Sequence, residues 1–184
     1  TPRSCPVTYL GGFAALRETY ARQPAALARG LRDGAFSFNT PGGRCEVCEG
    51  AGWVTVEMYF LADLQVPCEA CGGSRYRPEV LDVRYRGLNV REALDLTVDQ
   101  AFEHFAREPK FTLSIHMLRR VGLGYLKLGQ SAVQLSGGEA QRLKIARELS
   151  ERSAGRTLYL LDEPTVGLHF ADIQILLDVL DELV

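Results

Sequence analysis

The chain has 184 residues, of which 46% are hydrophobic and 24% charged, which is enough apolar sequence for one ordinary core with a small appended module. No apolar run approaches the roughly 20 residues that a membrane-spanning helix needs, and no secretory signal is recognisable, so we expect no membrane association and a cytoplasmic location. The net charge of -2 excludes a positive field over the whole chain that would attract nucleic acid, so any DNA contact must come from local basic patches. The candidate residues for such patches are Arg75, Arg77, Arg84, Arg86, Arg91, Arg119, Arg120 and Lys127.

The first predicted region is a connecting segment, residues 1–38. Phe13, Leu16 and Tyr20 share one helical face, Pro24 fits the start of a further helix and Gly30 fits its end. No chemistry can be read from this region.

Residues 39–80 have a different character and are predicted to form a separate module. Two cysteine pairs with adjacent glycines enclose the run 53–60, which is rich in β-branched and aromatic residues and therefore predicts a strand. A second strand is predicted over residues 80–86, where Leu81, Val83 and Tyr85 alternate with polar residues and Gly87 ends the pattern.

Residues 81–130 are predicted to be mostly helical after that strand. Asn89 with Glu92 and Thr97 with Gln100 have the spacing of capping boxes, which mark helix starts. Pro109 is expected to close the helix that follows Thr97. A third helix is expected to place Leu113, Met117, Leu118 and Val121 on one face and to end at Gly122.

Residues 131–184 are predicted to hold a loop, a helix, a strand and a final helix, an α/β organisation. The helix after Gly138 places Ala140, Leu143, Ala146 and Leu149 on one side, with Arg142 elsewhere. The apolar run 157–161 predicts a strand buried on both faces. Because residue 1 is not Met and the last apolar stripe runs to the end, we expect a segment of a larger protein.

Four cysteines have the spacing of a metal site. Cys45 and Cys48 form one Cys-x2-Cys pair, Cys68 and Cys71 form another, and nineteen residues separate the pairs. Two such turns can complete a tetrahedron of sulfur around one zinc ion. Disulfides, a redox pair or unrelated buried thiols are the alternatives, but disulfides are rare in a cytosolic chain and redox pairs normally occur singly. The sequence therefore predicts a structural zinc ion.

A second constellation has the parts of a phosphate site. The residues Ser136, Gly137, Gly138 and Glu139 precede a charged helix, whose N-terminus and glycine N–H groups favour an anion such as a γ-phosphate. After twenty-two further residues, Asp162 and Glu163 follow the apolar run. Asp162 would hold Mg²⁺ through water, and Glu163 would orient and deprotonate an attacking water. Either motif alone is also typical of a helix-capping loop or a solvated strand end, but the two in this order favour an ATPase.

These motifs resemble the signature and Walker B motifs of ABC-type ATPases, and together with the cysteine pairs they resemble the C-terminal half of the UvrA family of DNA-repair ATPases. Further matching segments are 36–39, 42–45, 128–131 and 167–172, so the resemblance covers nearly the whole chain. It implies a partial ABC-type ATPase domain, with a helical signature region and an inserted four-cysteine zinc module. The family acts in nucleotide excision repair as a dimer, binds damaged duplex DNA and delivers it to a UvrB-like subunit. It also implies zinc ligands at Cys45, Cys48, Cys68 and Cys71.

In that family each ATP site is composite, so the Ser136 turn would contact a nucleotide held by another domain, while Asp162 and Glu163 would serve this domain's own P-loop. No P-loop is present in this chain: its three lysines are Lys110, Lys127 and Lys144, and none follows a glycine. We therefore expect no ATP hydrolysis by this chain alone.

Two alternative functions remain. One is a free-standing zinc module that binds nucleic acid or protein and carries an inactive ATPase remnant. The other is an ABC transporter subunit.

Overall fold

A computed structural model of the chain describes residues 3–58, 60, 63–150, 158, 160, 163, 165 and 170–181. The chain divides into two compact units, one made of residues 14–94 and the other of residues 3–13 together with residues from 95 onward. Among the described residues, no helix is both long enough and apolar enough to cross a bilayer.

The described helices, in chain order, are α1 (Pro6–Tyr9), α2 (Gly12–Ala21), α3 (Pro24–Ala28), α4 (Pro78–Leu81), α5 (Val90–Asp95), α6 (Val98–His104), α7 (Pro109–Arg120), α8 (Gly137–Ser150) and α9 (Phe170–Asp181). Short 3-10 turns lie at Asp33–Phe36 and Ala132–Gln134. The described strands are β1 (Trp53–Val56), β2 (Leu64–Pro67), β3 (Arg84–Tyr85) and β4 (Leu88–Asn89).

Two antiparallel hairpins shape the unit of residues 14–94. In the first, β1 pairs with β2 so that Trp53 lies opposite Pro67 and Val56 opposite Leu64. In the second, β3 and β4 are joined by Arg86 and Gly87, whose φ angles of 48° and 90° are the left-handed pair that a tight two-residue hairpin turn requires.

The core of this unit is aromatic. The Tyr20 ring is fully buried, with its centroid 5.7 Å from Phe36 and 6.4 Å from Tyr85, and its hydroxyl donates to the Leu88 carbonyl at 3.0 Å. The Tyr76 hydroxyl donates in the same way to the Phe36 carbonyl at 3.0 Å. Each buried hydroxyl thus has a partner, and each bond ties an aromatic ring to a distant stretch of backbone.

The other unit is helical. Helix α7 packs against both α6 and α8, and the buried side chains of α7 are Phe111, Ile115 and Leu118. The backbone of residues 3–13 joins this unit because Val7 N donates to the Leu128 carbonyl at 3.2 Å and Ala132 N to the Ser4 carbonyl at 2.8 Å.

The predicted helix starts at Asn89 and Thr97 are confirmed. Glu92 N donates to Asn89 Oδ1 at 2.9 Å, and Asn89 N donates to the Glu92 carboxylate at 2.8 Å. The same reciprocal pair joins Thr97 and Gln100, at 3.0 and 3.2 Å. Gly122, with φ 73°, ends α7 as expected.

Three predictions about these elements are wrong in detail. Residues 80–86 are not one strand, because Pro78 begins the helical turn α4 and only Arg84–Tyr85 is extended. Pro109 does not close α6, which ends at His104. It instead occupies the first turn of α7, where its missing N–H costs nothing. Leu113 is 77% exposed, so the buried face of α7 is rotated from the predicted one.

Candidate metal and nucleotide sites

The four cysteines, here called the cysteine quartet (Cys45, Cys48, Cys68 and Cys71), come together as predicted. All four Sγ atoms lie within 4.8 Å of one another. The distance from Cys45 Sγ to Cys68 Sγ is 3.9 Å, and that from Cys48 Sγ to Cys71 Sγ is 3.8 Å. Four sulfurs bonded at about 2.3 Å to a tetrahedral ion are separated by about 3.8 Å. The donor set and its spacing therefore fit one tetrahedral metal ion.

Backbone contacts shape the two turns that carry the quartet. Cys68 N donates to the Gly52 carbonyl at 3.0 Å, Cys45 N donates to the Arg75 carbonyl at 2.8 Å, and Gly52 N donates to Cys48 Sγ at 3.3 Å. Gly43 and Gly50 pass so close to neighbouring backbone that an added Cβ would lie 1.7 Å from the Ala35 oxygen and 1.9 Å from the Phe38 oxygen. Only glycine fits at these two positions.

The protein environment acts unequally on the thiols. Burial raises the pKa of Cys48 to about 12, although hydrogen bonds from the Gly52 and Gly50 backbone oppose that rise. At Cys45 burial also raises the pKa, but hydrogen bonds from the Cys48 and Val47 backbone outweigh it and hold that pKa below its ordinary value. Metal binding needs thiolates, so a bound cation would supply the charge compensation that the buried Cys48 lacks.

The predicted phosphate-binding residues form the N-terminus of α8, and we call Ser136–Glu139 the signature turn. Glu139 N donates to Ser136 Oγ at 3.2 Å, and Ser136 N donates to Glu139 Oε2 at 2.8 Å, which is a reciprocal capping box. Ser136 and Gly137 are exposed, and a Cβ added at Gly137 would meet nothing within 4 Å. The space in front of this helix start is therefore open.

Two side chains that the sequence did not single out hold Glu139. The Tyr125 hydroxyl donates to Glu139 Oε1 at 2.7 Å, and Arg142 Nη2 donates to that hydroxyl at 3.4 Å. Arg142 was expected away from the apolar side of α8, yet it is only 4% exposed. No sequence pattern identifies this contact, because Tyr125 lies fourteen residues before Glu139 and outside α8.

The second half of the predicted phosphate site is described only at Glu163. This residue is exposed and has a φ of 43°, in the left-handed region that non-glycine residues rarely adopt. Asp162 and most of the predicted strand 157–161 lie outside the described residues. Leu158 and Leu160 are 83% and 89% exposed, so the expected burial is wrong at these two residues. Neither two-stranded sheet of the described residues contains them.

Several of the candidate DNA-contacting arginines are engaged within the chain. Arg77 pairs with Glu46 and Glu79, and Arg84 lies 2.9 Å from the Glu92 carboxylate. The guanidinium of Arg75 lies 5.0 Å from the centre of the Phe38 ring. The ion pairs of Arg77 and Arg84 reduce the positive charge that the unit of residues 14–94 presents to a polyanion.

Known proteins resemble this chain along its whole length. Residues 77–166 match the profile of the family described as ABC transporter. The chain is 58% identical over 184 residues to UvrABC system protein A of Methanothermobacter thermautotrophicus, and 56% identical over 183 residues to that of Escherichia coli K12. Each match covers 100% of this chain but only 19% and 20% of the two relatives, so the chain spans one part of these longer proteins.

A solved structure gives the same result. The crystal structure of UvrA2 from Deinococcus radiodurans superposes with a TM-score of 0.93 at 53% identity, covering 100% of this chain and 22% of that chain. Agreement at this level along the entire chain does not favour a free-standing zinc module.

Proposed function

This chain is a UvrA-like segment, and from that premise we propose that it supplies complementary parts of two composite ATP sites in a DNA-repair ATPase of nucleotide excision repair. The signature turn contributes to a site whose nucleotide is held by a different ATPase domain. Asp162 and Glu163 contribute to the site of this segment's own domain, whose P-loop is not in this sequence.

The observation that carries this proposal is the open, capped start of α8. The exposed Ser136 hydroxyl oxygen already accepts the Glu139 N–H at 3.2 Å, so its hydrogen remains available to donate to an anion. Gly137 places no side chain in front of the helix, and the helix dipole adds partial positive charge. A γ-phosphate is the anion that fits this arrangement in an ABC-type ATPase.

The proposed chemistry at the other site is water-mediated hydrolysis. Asp162 would hold Mg²⁺ through water, and Glu163 would accept a proton from the attacking water. The left-handed backbone of Glu163 supports this role, because non-glycine residues in that region cost free energy and tend to occur at functional sites.

The wider activity follows from the same premise. We propose that the complete protein is a cytoplasmic homodimer that binds damaged duplex DNA and delivers it to a UvrB-like subunit. ATP with Mg²⁺ is the proposed substrate.

The cysteine quartet is proposed to bind one structural Zn²⁺, because four protein sulfurs at tetrahedral spacing leave no open position for a reacting water.

Glu163→Gln in the complete protein tests the hydrolytic role. Removing the proposed base should lower kcat for ATP hydrolysis about 100-fold or more while nucleotide binding is retained. Glu148→Gln, which changes an exposed carboxylate on α8, is the matched control and should leave kcat unchanged. Wild-type turnover by the Glu163 variant would contradict the assignment, as would steady-state hydrolysis by the 184-residue chain alone.

A further inference from the structure

The signature turn is not held by its own residues alone. Glu139 uses both carboxylate oxygens: Oε2 accepts from Ser136 N at 2.8 Å and Oε1 accepts from the Tyr125 hydroxyl at 2.7 Å. The Glu139 carboxylate holds the Ser136 backbone N–H, and the Glu139 backbone N–H donates to Ser136 Oγ at 3.2 Å, so the two residues fix each other's position. Whatever holds Glu139 therefore holds the turn.

Tyr125 sits between a cation and an anion. Arg142 Nη2 donates to the Tyr125 oxygen at 3.4 Å, and a hydroxyl that accepts from a guanidinium has its own hydrogen left to donate to Glu139. The same guanidinium donates to the carbonyls of Val121 and Gly122, both at 3.4 Å, at the C-terminal end of α7. A cation there is favoured by the helix dipole.

The backbone around Tyr125 is fixed independently of these side chains. Gly122 N donates to the Arg119 carbonyl at 3.0 Å and Leu123 N to the Leu118 carbonyl at 2.8 Å, which closes α7 with a Schellman motif. The two residues that flank Tyr125 accept from the first turn of α6: the Gly124 carbonyl from Asp99 N at 3.0 Å, and the Leu126 carbonyl from Val98 N at 2.9 Å. The backbone on both sides of Tyr125 is therefore held by hydrogen bonds, and this positions the Tyr125 side chain beside Glu139.

We propose that Tyr125 and Arg142 are positioning residues for the signature turn, which hold Glu139 as the cap of α8 and orient the Ser136 hydroxyl toward the phosphate. This inference rests on the proposed function of the turn. Neither side chain is assigned to touch the nucleotide. They act through Glu139, whose carboxylate would otherwise be free to swing toward the incoming phosphate and repel it.

The arrangement also predicts a dependence on pH. Burial raises the pKa of Glu139, but the hydrogen bonds from Tyr125 and Ser136 and the charge of Arg142 outweigh that effect and hold it below its ordinary value. Protonation would neutralise the carboxylate and turn one of its two accepting oxygens into a donor, so the turn should loosen at acid pH. Removing the Tyr125 hydroxyl should let that loosening occur at higher pH.

The test is Tyr125→Phe in the complete protein, with ATP hydrolysis measured as a function of pH. We expect kcat to fall about tenfold, because misplacing a group that stabilises the transition state has effects of this size or larger. KM for ATP should change less than about twofold, since the nucleotide is held by the other domain's P-loop. The acidic limb of the kcat profile should move to higher pH, and in a Glu139→Gln background the Tyr125→Phe change should no longer move it. A purely structural role for Tyr125 would not move it.

Two further variants separate a failure of the positioning role from a failure of the proposed function. Tyr9→Phe removes a hydroxyl from α1 in the same unit and should leave kcat and its pH profile unchanged. Ser136→Ala tests the turn itself: if it leaves kcat at the wild-type value, the proposed function fails. If Ser136→Ala lowers kcat but Tyr125→Phe changes neither kcat nor the acidic limb, only the positioning role is overturned. Because Tyr125 is 55% exposed, its replacement by Phe should not prevent folding, whereas replacement of the buried Arg142 would also disturb packing.

Discussion

At the scale of single residues, the turn around the quartet depends on places where two stretches of backbone touch. Gly43 lies where an added Cβ would be 1.7 Å from the Ala35 oxygen, whereas a Cβ at Gly34 would meet nothing within 4 Å. Neither glycine has a positive φ, so the two differ in the space available and not in backbone conformation.

Gly43→Ala should therefore destabilise the chain by about 2 kcal/mol or more, as substitutions that force steric overlap in packed regions do. Gly34→Ala is the matched control and should be neutral or slightly stabilising, because it only restricts the unfolded chain. The measurement is the free energy of unfolding in denaturant. Equal effects of the two substitutions would show that the close approach at Gly43 does not constrain the fold.

A second prediction at this scale concerns the cap of α8. Because the pKa of Glu139 is lowered in the folded chain, its carboxylate stabilises the fold above the ordinary carboxyl pKa, and that contribution is lost as the pH falls through the lowered value. Glu139→Gln should therefore cost stability near neutral pH, and the difference from wild type should shrink as the pH is lowered toward about 3. Urea unfolding at several pH values measures it. A difference that grows on acidification would contradict the assigned hydrogen bonds.

At the scale of elements, the hairpin β1/β2 lacks a core of its own. Its strands have four residues each, and Val56 and Leu64 at its far end are 43% and 54% exposed. The buried cluster at its base consists of Cys45, Cys48 and Cys68. An isolated two-stranded hairpin is at best marginally stable in water, so we expect the sulfur cluster and the proposed ion to supply the missing stability.

Chelation of zinc should unfold residues 40–79 and leave the helical unit folded. Amide hydrogen exchange should show lost protection at Cys68 N and Cys45 N, while α7 and α8 keep theirs. Cys68→Ser should abolish stoichiometric zinc binding, and Cys5→Ser, which removes a buried thiol outside the quartet, should not. Loss of the whole chain's cooperative unfolding transition on chelation would contradict a modular role for the metal.

The elements also show what sequence can predict. Capping boxes at Asn89 and Thr97 were readable because their partners lie three residues apart on the same chain segment. The end of α6 and the buried face of α7 were misassigned because Pro109 suits either the end of one helix or the start of the next, and the choice depends on what each helix packs against. Local sequence signals predict where a helix starts better than they predict which face of the helix is buried.

At the scale of the whole molecule, site residues were predictable where they depend on local sequence and were missed where they depend on tertiary packing. The quartet was predictable from spacing, because each turn is local and the hairpin brings the turns together. The role of Tyr125 was not, because its contact with Glu139 depends on where the end of α7 meets α8, which is a tertiary property. The predicted burial is wrong at Leu158 and Leu160: a buried strand needs neighbouring strands, and neither two-stranded sheet of the described residues contains these two leucines.

The proposed DNA binding belongs to the complete protein. Its affinity for duplex DNA should fall steeply with salt, and Arg86→Ala should lower the slope of log K against log salt by about 0.9 if that exposed side chain contacts one phosphate. Arg84 is paired with Glu92, so Arg84→Ala should lower the slope by less than about 0.9. Filter binding or fluorescence anisotropy over a salt series provides the measurement. Salt-insensitive binding would exclude a phosphate-contacting role for the β3/β4 hairpin.

The central claim is that the signature turn forms half of a nucleotide site completed by another domain. The most direct measurement is a structure of the complete protein with a non-hydrolysable ATP analogue and Mg²⁺. We predict a γ-phosphate oxygen about 2.8 Å from Ser136 Oγ, on a nucleotide whose P-loop belongs to a different ATPase domain. A bound, closed nucleotide that makes no contact with Ser136, Gly137 or Gly138 would contradict the account.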